Sequence, residues 1–403
     1  MPILIPRTHI VELNAPRKFL VRDDFTDNLA AGAVDGTSPT PGPGGARVVV
    51  DTGSVLSTTG GQCVISGATG IGDPGFWYGQ QTRKAGVGFL AAIDIGAARP
   101  YCGWFAGQDA VAAGAFHFYP GDSLRLHLAA GLIEVGAWTV DTDYQIAIIM
   151  RAAGLFHLVN GGAYSGWTLL WVDSAETDNP YPGYANRNST DAAVDALRVA
   201  QLGSPWSDTY AIALAYATFT DSNDTAIADY TPEVGGAWIA DVGTWQIQTN
   251  AAQSTALAGG IAIATVDAGV INVLQTASPS VAGGVAGVIV RYADADNYVR
   301  AVHNGTNATL TKVVAGVPTD MIDAAAAYRA GREIRIICDG TAFDMFYHNV
   351  KIGTTQTIAD AGLQTGTKVG LYSTNTGNTF DAADCYPRDI IGSARAELEK
   401  YTR

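Results

Sequence analysis

The chain is expected to be an all-β protein made of two tandem antiparallel sandwiches, and three observations lead there. Apolar and polar residues alternate in runs of about four to eight, from SLRLHLAA at 123 to AFDMFYH at 342, the period of a strand with one face buried. Asn or Asp stands beside Gly between the runs, in VNGG, HNGTN and CDGTA, where tight hairpins need a positive φ. A Phe-Thr-Asp triplet opens two similar stretches, RDDFTDN at 22 and ATFTDSND at 217, and each is followed by a Gly-rich strand pair.

The bulk numbers agree with two domains. A chain of 403 residues exceeds one ordinary core, and with 47% apolar and 15% charged residues it can fill two. Its 47 Gly and 16 Pro follow no repeat, which excludes a collagen-like rod. A formal charge of −14, with 38 acidic against 24 basic residues, excludes a nucleic-acid partner, because phosphate neutralisation needs clustered cations. No apolar segment approaches the roughly 18 residues of a membrane helix, so no membrane insertion is expected. The start, MPILIPRTHIVELN, lacks the charged and apolar regions of a classical signal peptide. Cys63, Cys102, Cys338 and Cys385 are scattered without C-x-x-C spacing and read as free buried thiols.

Along the chain, residues 1–19 read as an extended N-terminal arm, with Ile3 and Ile5 set between prolines. Residues 20–216 form the first sandwich, with GARVVVDTGSVLST, YQIAIIM and LFHLVN as strands and DAAVDALRVAQ as the closing one. Two insertions interrupt it, the aromatic DPGFWYGQ and the acidic WVDSAETDNPYPGYANRNST. Residues 217–388 form the second, through GAWIADVGTWQIQT, NYVRAVH, EIRIIC and AFDMFYH to TFDAADCYP. In AGVIVRYADADNYVRAVH strict alternation puts Val288, Val290 and Tyr292 on one face and Ile289 and Arg291 on the other. Residues 389–403 read as a short C-terminal helix, with Ile391, Ala394 and Leu398 on its apolar stripe and Lys400 and Arg403 suiting its C-terminal end.

The succession of the Phe-Thr-Asp opening, Gly243-Thr244-Trp245, the AGVIVRYADADNYVRAVH hairpin, LTKVVAGVPT, EIRIICDGTAFDMFYHN, GTKVGLYS and FDAADC resembles the concanavalin A-like, laminin-G-like jelly roll. The second half carries nearly the whole pattern, and the tandem resembles those of phage virion proteins. The resemblance implies a lectin-like or structural module. It also includes glycoside hydrolases, whose laminarinase-like members carry Glu-x-Asp-x-x-Glu on one strand. No such run exists here, and the seven glutamates are dispersed, so no catalytic residue is assigned. The six histidines lie mainly in alternating strands, and no Gly-x-Ser-x-Gly elbow accompanies them.

Relatives of this kind often hold calcium at a loop edge, which directs attention to Asp294, Asp296 and Asn297, and beyond them to TDSND and DSAETDN. No other cofactor is expected. Aromatics that no strand period demands are the candidates for stacking on sugar: Trp77, Tyr78, Tyr181 and Tyr184. The expected function is a non-enzymatic structural component of a phage or virus-like particle. It would sit on the virion exterior, or otherwise outside the cell, and contact copies of itself, other particle proteins and cell-surface polysaccharide. The alternatives are a glycan-binding lectin-like module and, after it, a glycoside hydrolase.

Overall fold

The computed structural model describes the chain apart from residues 1–17, 51–53, 67–73, 96–99, 106–114, 120–122, 129–130, 153, 174–180, 187–191 and 403. The expected arm therefore lies outside the described residues except at Lys18 and Phe19, and Phe19 already begins a strand. Two compact units divide the chain, one of residues 1–209 with 391–403 and one of residues 210–390. Among the described residues no helix is long and apolar enough to cross a membrane.

The first unit contains β1 (Phe19–Asp23), β2 (Val48–Val50), β3 (Leu56–Thr59), β4 (Gln62–Ile65), β5 (Gly75–Trp77), β6 (Val87–Ile95), β7 (Pro100–Phe105), β8 (Ala115–Tyr119), β9 (Ser123–Leu128), β10 (Gly131–Ala137), β11 (Thr142–Met150), β12 (Leu155–Gly161), β13 (Tyr164–Asp173), β14 (Tyr181–Asn186) and β15 (Ala192–Gln201). The second contains β16 (Ala215–Ala217), β17 (Ile239–Val242), β18 (Thr244–Ile247), β19 (Ala252–Ala256), β20 (Ala262–Asp267), β21 (Val273–Ser280), β22 (Ala286–Asp294), β23 (Asn297–His303), β24 (Asn307–Val314), β25 (Val317–Ala325), β26 (Ile334–Asp339), β27 (Ala342–Tyr347), β28 (Val350–Thr357), β29 (Lys368–Ser373) and β30 (Thr379–Pro387). Among the described residues one α-helix, α1 (Gly392–Thr402), follows, and a single 3-10 turn (Ala361–Leu363) precedes β29.

Among the described residues each unit is an eight-stranded sheet and a seven-stranded sheet, antiparallel throughout. In the first unit the orders are β13-β12-β11-β6-β15-β4-β3, with β1 also on β15, and β10-β9-β8-β7-β14-β5-β2. Shifting every strand by fifteen positions reproduces the second unit: β28-β27-β26-β21-β30-β19-β18, with β16 on β30, and β25-β24-β23-β22-β29-β20-β17. The duplication suggested by the repeated Phe-Thr-Asp is thus a duplication of topology. β16, which straddles the expected boundary at 216, belongs wholly to the second unit because it pairs with β30.

Alternation builds the layers as the sequence implies. In β9 the leucines 124, 126 and 128 are buried while Ser123, Arg125 and His127 are only partly covered. In the second unit Ile336 and Phe343 from one sheet meet Val288, Leu310 and Leu371 from the other in a single core. All four cysteines are free and buried.

Two expectations are corrected. Arg291 has φ +54, and the β22–β29 register shifts between Ile289 and Tyr292. This bulge adds a residue to the strand, so Tyr292 joins Ile289 in a cluster on the outer face, while Val288 and Val290 stay in the core. The Arg291 guanidinium is buried on the carbonyl oxygens of Gln364 (3.2 Å) and Gly340 (2.9 Å) and on Asn272 Oδ1 (3.3 Å). The second correction concerns α1, whose buried residues are Ala394, Glu397, Leu398 and Tyr401, whereas Ile391 is 69% exposed. The helix docks on the first unit through these buried side chains and through polar bonds. Gly203 N–H donates to Glu397 Oε1 (2.8 Å), the Trp206 indole N–H to the Ala394 carbonyl (2.9 Å) and Arg198 Nη1 to the Tyr401 carbonyl (2.8 Å).

The Phe-Thr-Asp triplets make the same backbone turn, with Phe25 at φ +49 and Phe219 at φ +53, both fully buried. A bulky side chain tolerates this region only where its surroundings hold it. Beneath Phe25, Asp23 accepts its N–H (3.2 Å) and grips Arg47 through two bonds of 2.6 and 2.7 Å. Asp27 takes a third guanidinium bond at 2.5 Å, and Tyr78 OH donates to Asp23 Oδ2 (2.5 Å). Beneath Phe219 the N–H instead donates to the Tyr230 hydroxyl (3.1 Å), which donates in turn to Glu233 Oε2 (2.9 Å).

Candidate ligand-binding face

Three of the four aromatic candidates lie on strands and Tyr78 directly follows one, because DPGFWYGQ and NPYPGYAN supply β5 and β14, which pair with Gly183 opposite Trp77. Such short segments, three and six residues long, offer too little alternation to be read as strands. The pleat then splits the set. Tyr78 and Tyr184 are fully buried, Tyr184 against Phe76 at 6.0 Å between ring centroids and Tyr78 on Asp23. Trp77 and Tyr181 come together in a cluster with Tyr101 and Phe105, and the Trp77 and Phe105 rings meet edge to face at 5.7 Å. Trp77 is only 2% exposed. These side chains are packing elements and give no open stacking platform, which corrects the expectation for Trp77, Tyr78 and Tyr184.

Packing also explains the chain around them. A Cβ on Gly183 would stand 2.5 Å from Trp77 Cδ1, so glycine is needed for the indole to cross its neighbour strand.

Asp294, Asp296 and Asn297 form the β22–β23 turn. Asp294 Oδ1 accepts the Asp296 backbone N–H and the Asn297 amide, both at 2.9 Å, and Asn297 Oδ1 accepts Ala315 N–H (3.0 Å). The side-chain oxygens of Asp294 and Asn297 thus close the hairpin locally. Among the described residues no group of three His, Cys, Asp or Glu converges as a metal site. Of the other acidic loops, Glu176 and Asp178 lie outside the described residues, while Asn223 Oδ1 accepts Thr249 N–H at 2.7 Å.

What the sequence did not single out is the outer face of the second unit's seven-stranded sheet. Tyr292 from β22, Tyr298 from β23 and Tyr372 from β29 lie side by side, with centroids 6.1 Å apart in both adjacent pairs. Ile263, Ile289, Val302 and Val313 complete this layer, which is almost fully covered. Two cations lie over the rings: Arg300 Cζ is 4.6 Å from the Tyr372 centroid, and Lys368 Nζ is 5.7 Å from that of Tyr292. Lys368 is also paired with Asp241 (3.3 Å), which accepts a bond from Thr265. Farther across the sheet Thr311 Oγ1 donates to Asp320 Oδ1 (2.7 Å).

Register explains why these groups meet. Thr265, Gly370, Ile289, Arg300, Thr311 and Asp320 are successive partners across the strands and form one row on one face. Burial raises the phenol of Tyr292 to about 12, with the nearby Asp241 and Asp294 acting in the same direction, and burial raises Tyr298 and Tyr372 as well. The layer is therefore neutral at physiological pH. The face offers the guanidinium of Arg300, the ammonium of Lys368 and the carboxylates of Asp241 and Asp320, while Thr265, Thr311 and the three tyrosines beneath them are almost fully covered.

No family model matches the chain, and no curated protein does. Among solved structures it is similar to the carbohydrate-binding module CBM66 from Bacillus subtilis, at 13% identity and a TM-score of 0.28 over 37% of this chain and 92% of that one. The exoplasmic/lumenal domain of VIP36, in a form bound to Ca2+ and Man3GlcNAc, is similar at 10% identity and a TM-score of 0.28, over 40% and 90% of the two chains. A mutant of the GH43 protein BlXynB from Bacillus licheniformis is similar at 10% identity and a TM-score of 0.31, over 88% and 90%. At these identities and scores no ligand or activity passes from them to this chain.

Proposed function

We propose that the protein is a non-catalytic, glycan-recognising tandem β-sandwich, and that glycan binds the outer face of the second unit's seven-stranded sheet. The observation that carries this reading is the polar surface formed by Asp241, Lys368, Arg300 and Asp320, which reach solvent above a covered layer of tyrosines and aliphatic side chains. A sugar ring presents hydroxyls that both donate and accept, so it is matched by a surface on which carboxylates, a guanidinium and an ammonium stand together. A non-catalytic role is supported by how carboxylates are used elsewhere: Asp23 and Asp27 are tied to Arg47, and Glu233 to Thr218 and Tyr230.

The double variant Asp241→Asn/Lys368→Met tests the reading, since a partly exposed pair contributes little to stability. Retention on a panel of immobilised polysaccharides should drop while the thermal midpoint stays nearly unchanged. Undiminished retention would place the binding elsewhere.

We further propose a setting for this module as a structural component of a virion exterior, assembled from copies of the chain. The duplicated architecture and the glycine-rich, lysine-poor composition support it. Mass spectrometry of purified particles should find the chain in stoichiometric amount, and its absence from them would remove the proposal.

A further inference from the structure

We infer that Arg300 is an anion subsite, and that the glycan taken by this face carries a negatively charged group, a carboxylate or a sulfate ester, on its ring. The inference rests on the glycan reading above and specifies its substrate class.

The two cations of the face differ in what already holds them. Lys368 is neutralised by Asp241. Arg300 forms no ion pair with a described residue, and its buried Nε has no hydrogen-bond partner. The carboxylates nearby are engaged elsewhere, Asp320 by Thr311, Asp294 by the hairpin turn and Asp241 by Lys368 and Thr265. Arg300 is held in place from below, where its guanidinium lies over the Tyr372 ring and within hydrogen-bonding reach of that hydroxyl, which Tyr298 also reaches. Its neighbours across the sheet, Ile289 and Thr311, carry no charge.

A planar cation, preorganised on an aromatic ring and lacking a carboxylate, has unspent donors in a fork that matches two oxygens of one anionic group. Neutral hydroxyls would use the same donors at roughly half the strength. The charge of −14 on the whole chain makes general attraction of polyanions unfavourable, so capture of an acidic polymer needs a local cation of this kind.

The test is affinity electrophoresis and calorimetry of the whole chain with three probes: polygalacturonate, dextran sulfate and neutral dextran. Polygalacturonate or dextran sulfate should bind, more weakly as salt rises, and the one that binds identifies the charge as carboxylate or sulfate. Arg300→Gln should weaken that binding about tenfold or more, and Arg300→Lys should restore part of it. Matching thermal midpoints across the variants would show that the sheet is intact. If dextran binds as tightly as both acidic probes, the anion inference falls and the glycan reading stands. If Arg300→Gln binds an acidic probe as the parent does, the anion inference falls as well. If none of the three is retained and a wider neutral panel is also silent, both readings fall.

Discussion

The two units share one topology and one strained turn, yet they anchor that turn by different chemistry. Under Phe25 the anchor is ionic and shut away from water, with Arg47 and Asp23 both fully buried and Asp27 close by. Under Phe219 it is a phenol, Tyr230, leaning on a Glu233 that remains near solvent. The backbone demand is the same in both: a buried N–H at positive φ needs an acceptor. Any acceptor of the right reach answers it, so the fold dictates the turn and leaves the partner to local composition. The ionic version is the more brittle, because losing one member leaves the others charged inside the protein.

That difference sets the order of the expected effects. Arg47→Ala should cost about 3–5 kcal/mol in denaturant unfolding, by leaving Asp23 buried without a cation. A loss under about 1 kcal/mol would mean that the first unit does not depend on the pair. Tyr230→Phe deprives Phe219 N–H of its acceptor and should cost about 1–2 kcal/mol, with the loss confined to the second unit in hydrogen exchange.

Acid should separate the units further. His303 is buried; its Nδ1 accepts Gly305 N–H (2.9 Å), and its Nε2 lies 3.1 Å from the Ala326 carbonyl, so Nε2 carries the proton. Burial lowers its pKa, and the bond to Ala326 only partly offsets this. Below about pH 6.5 the unfolded chain therefore binds a proton that the folded one resists, and second-unit stability should fall as pH drops through that region. His303→Gln should flatten that slope in pH-dependent melts. In the first unit burial raises the Asp27 carboxyl, but bonds from Arg47 and Thr58 and the Arg47 charge outweigh it and leave the pKa below 3.8. Its contribution is present above that value and disappears only as pH falls below it, so the smallest effect, in the first unit, comes last.

Much of the fold was legible because alternation survives in strands with one covered face, as in β9, because apolar runs such as β11 are of strand length, and because the Phe-Thr-Asp pair marks the duplication. Bulges were not legible. An extra residue at Arg291 reverses the faces after it, and no period in the sequence records the insertion. Trp77 and Tyr184 misled because strands of three and six residues, set in turn-like sequence, look like loops. The candidate face stayed hidden for a different reason. Arg300 and Tyr372 are ordinary members of their own strands, and they become neighbours only through the order β29-β22-β23, a long-range pairing no local pattern contains.

The helix that closes the chain has a consequence for how the molecule is made. Trp206 and Ala394, joined by one hydrogen bond, are 188 residues apart in sequence, and the whole second unit lies between them. During synthesis the first sandwich must wait, its flank uncovered, while its sibling emerges from the ribosome. The second needs no such return, because its strands come from one unbroken stretch, so the half made later is the half able to finish first.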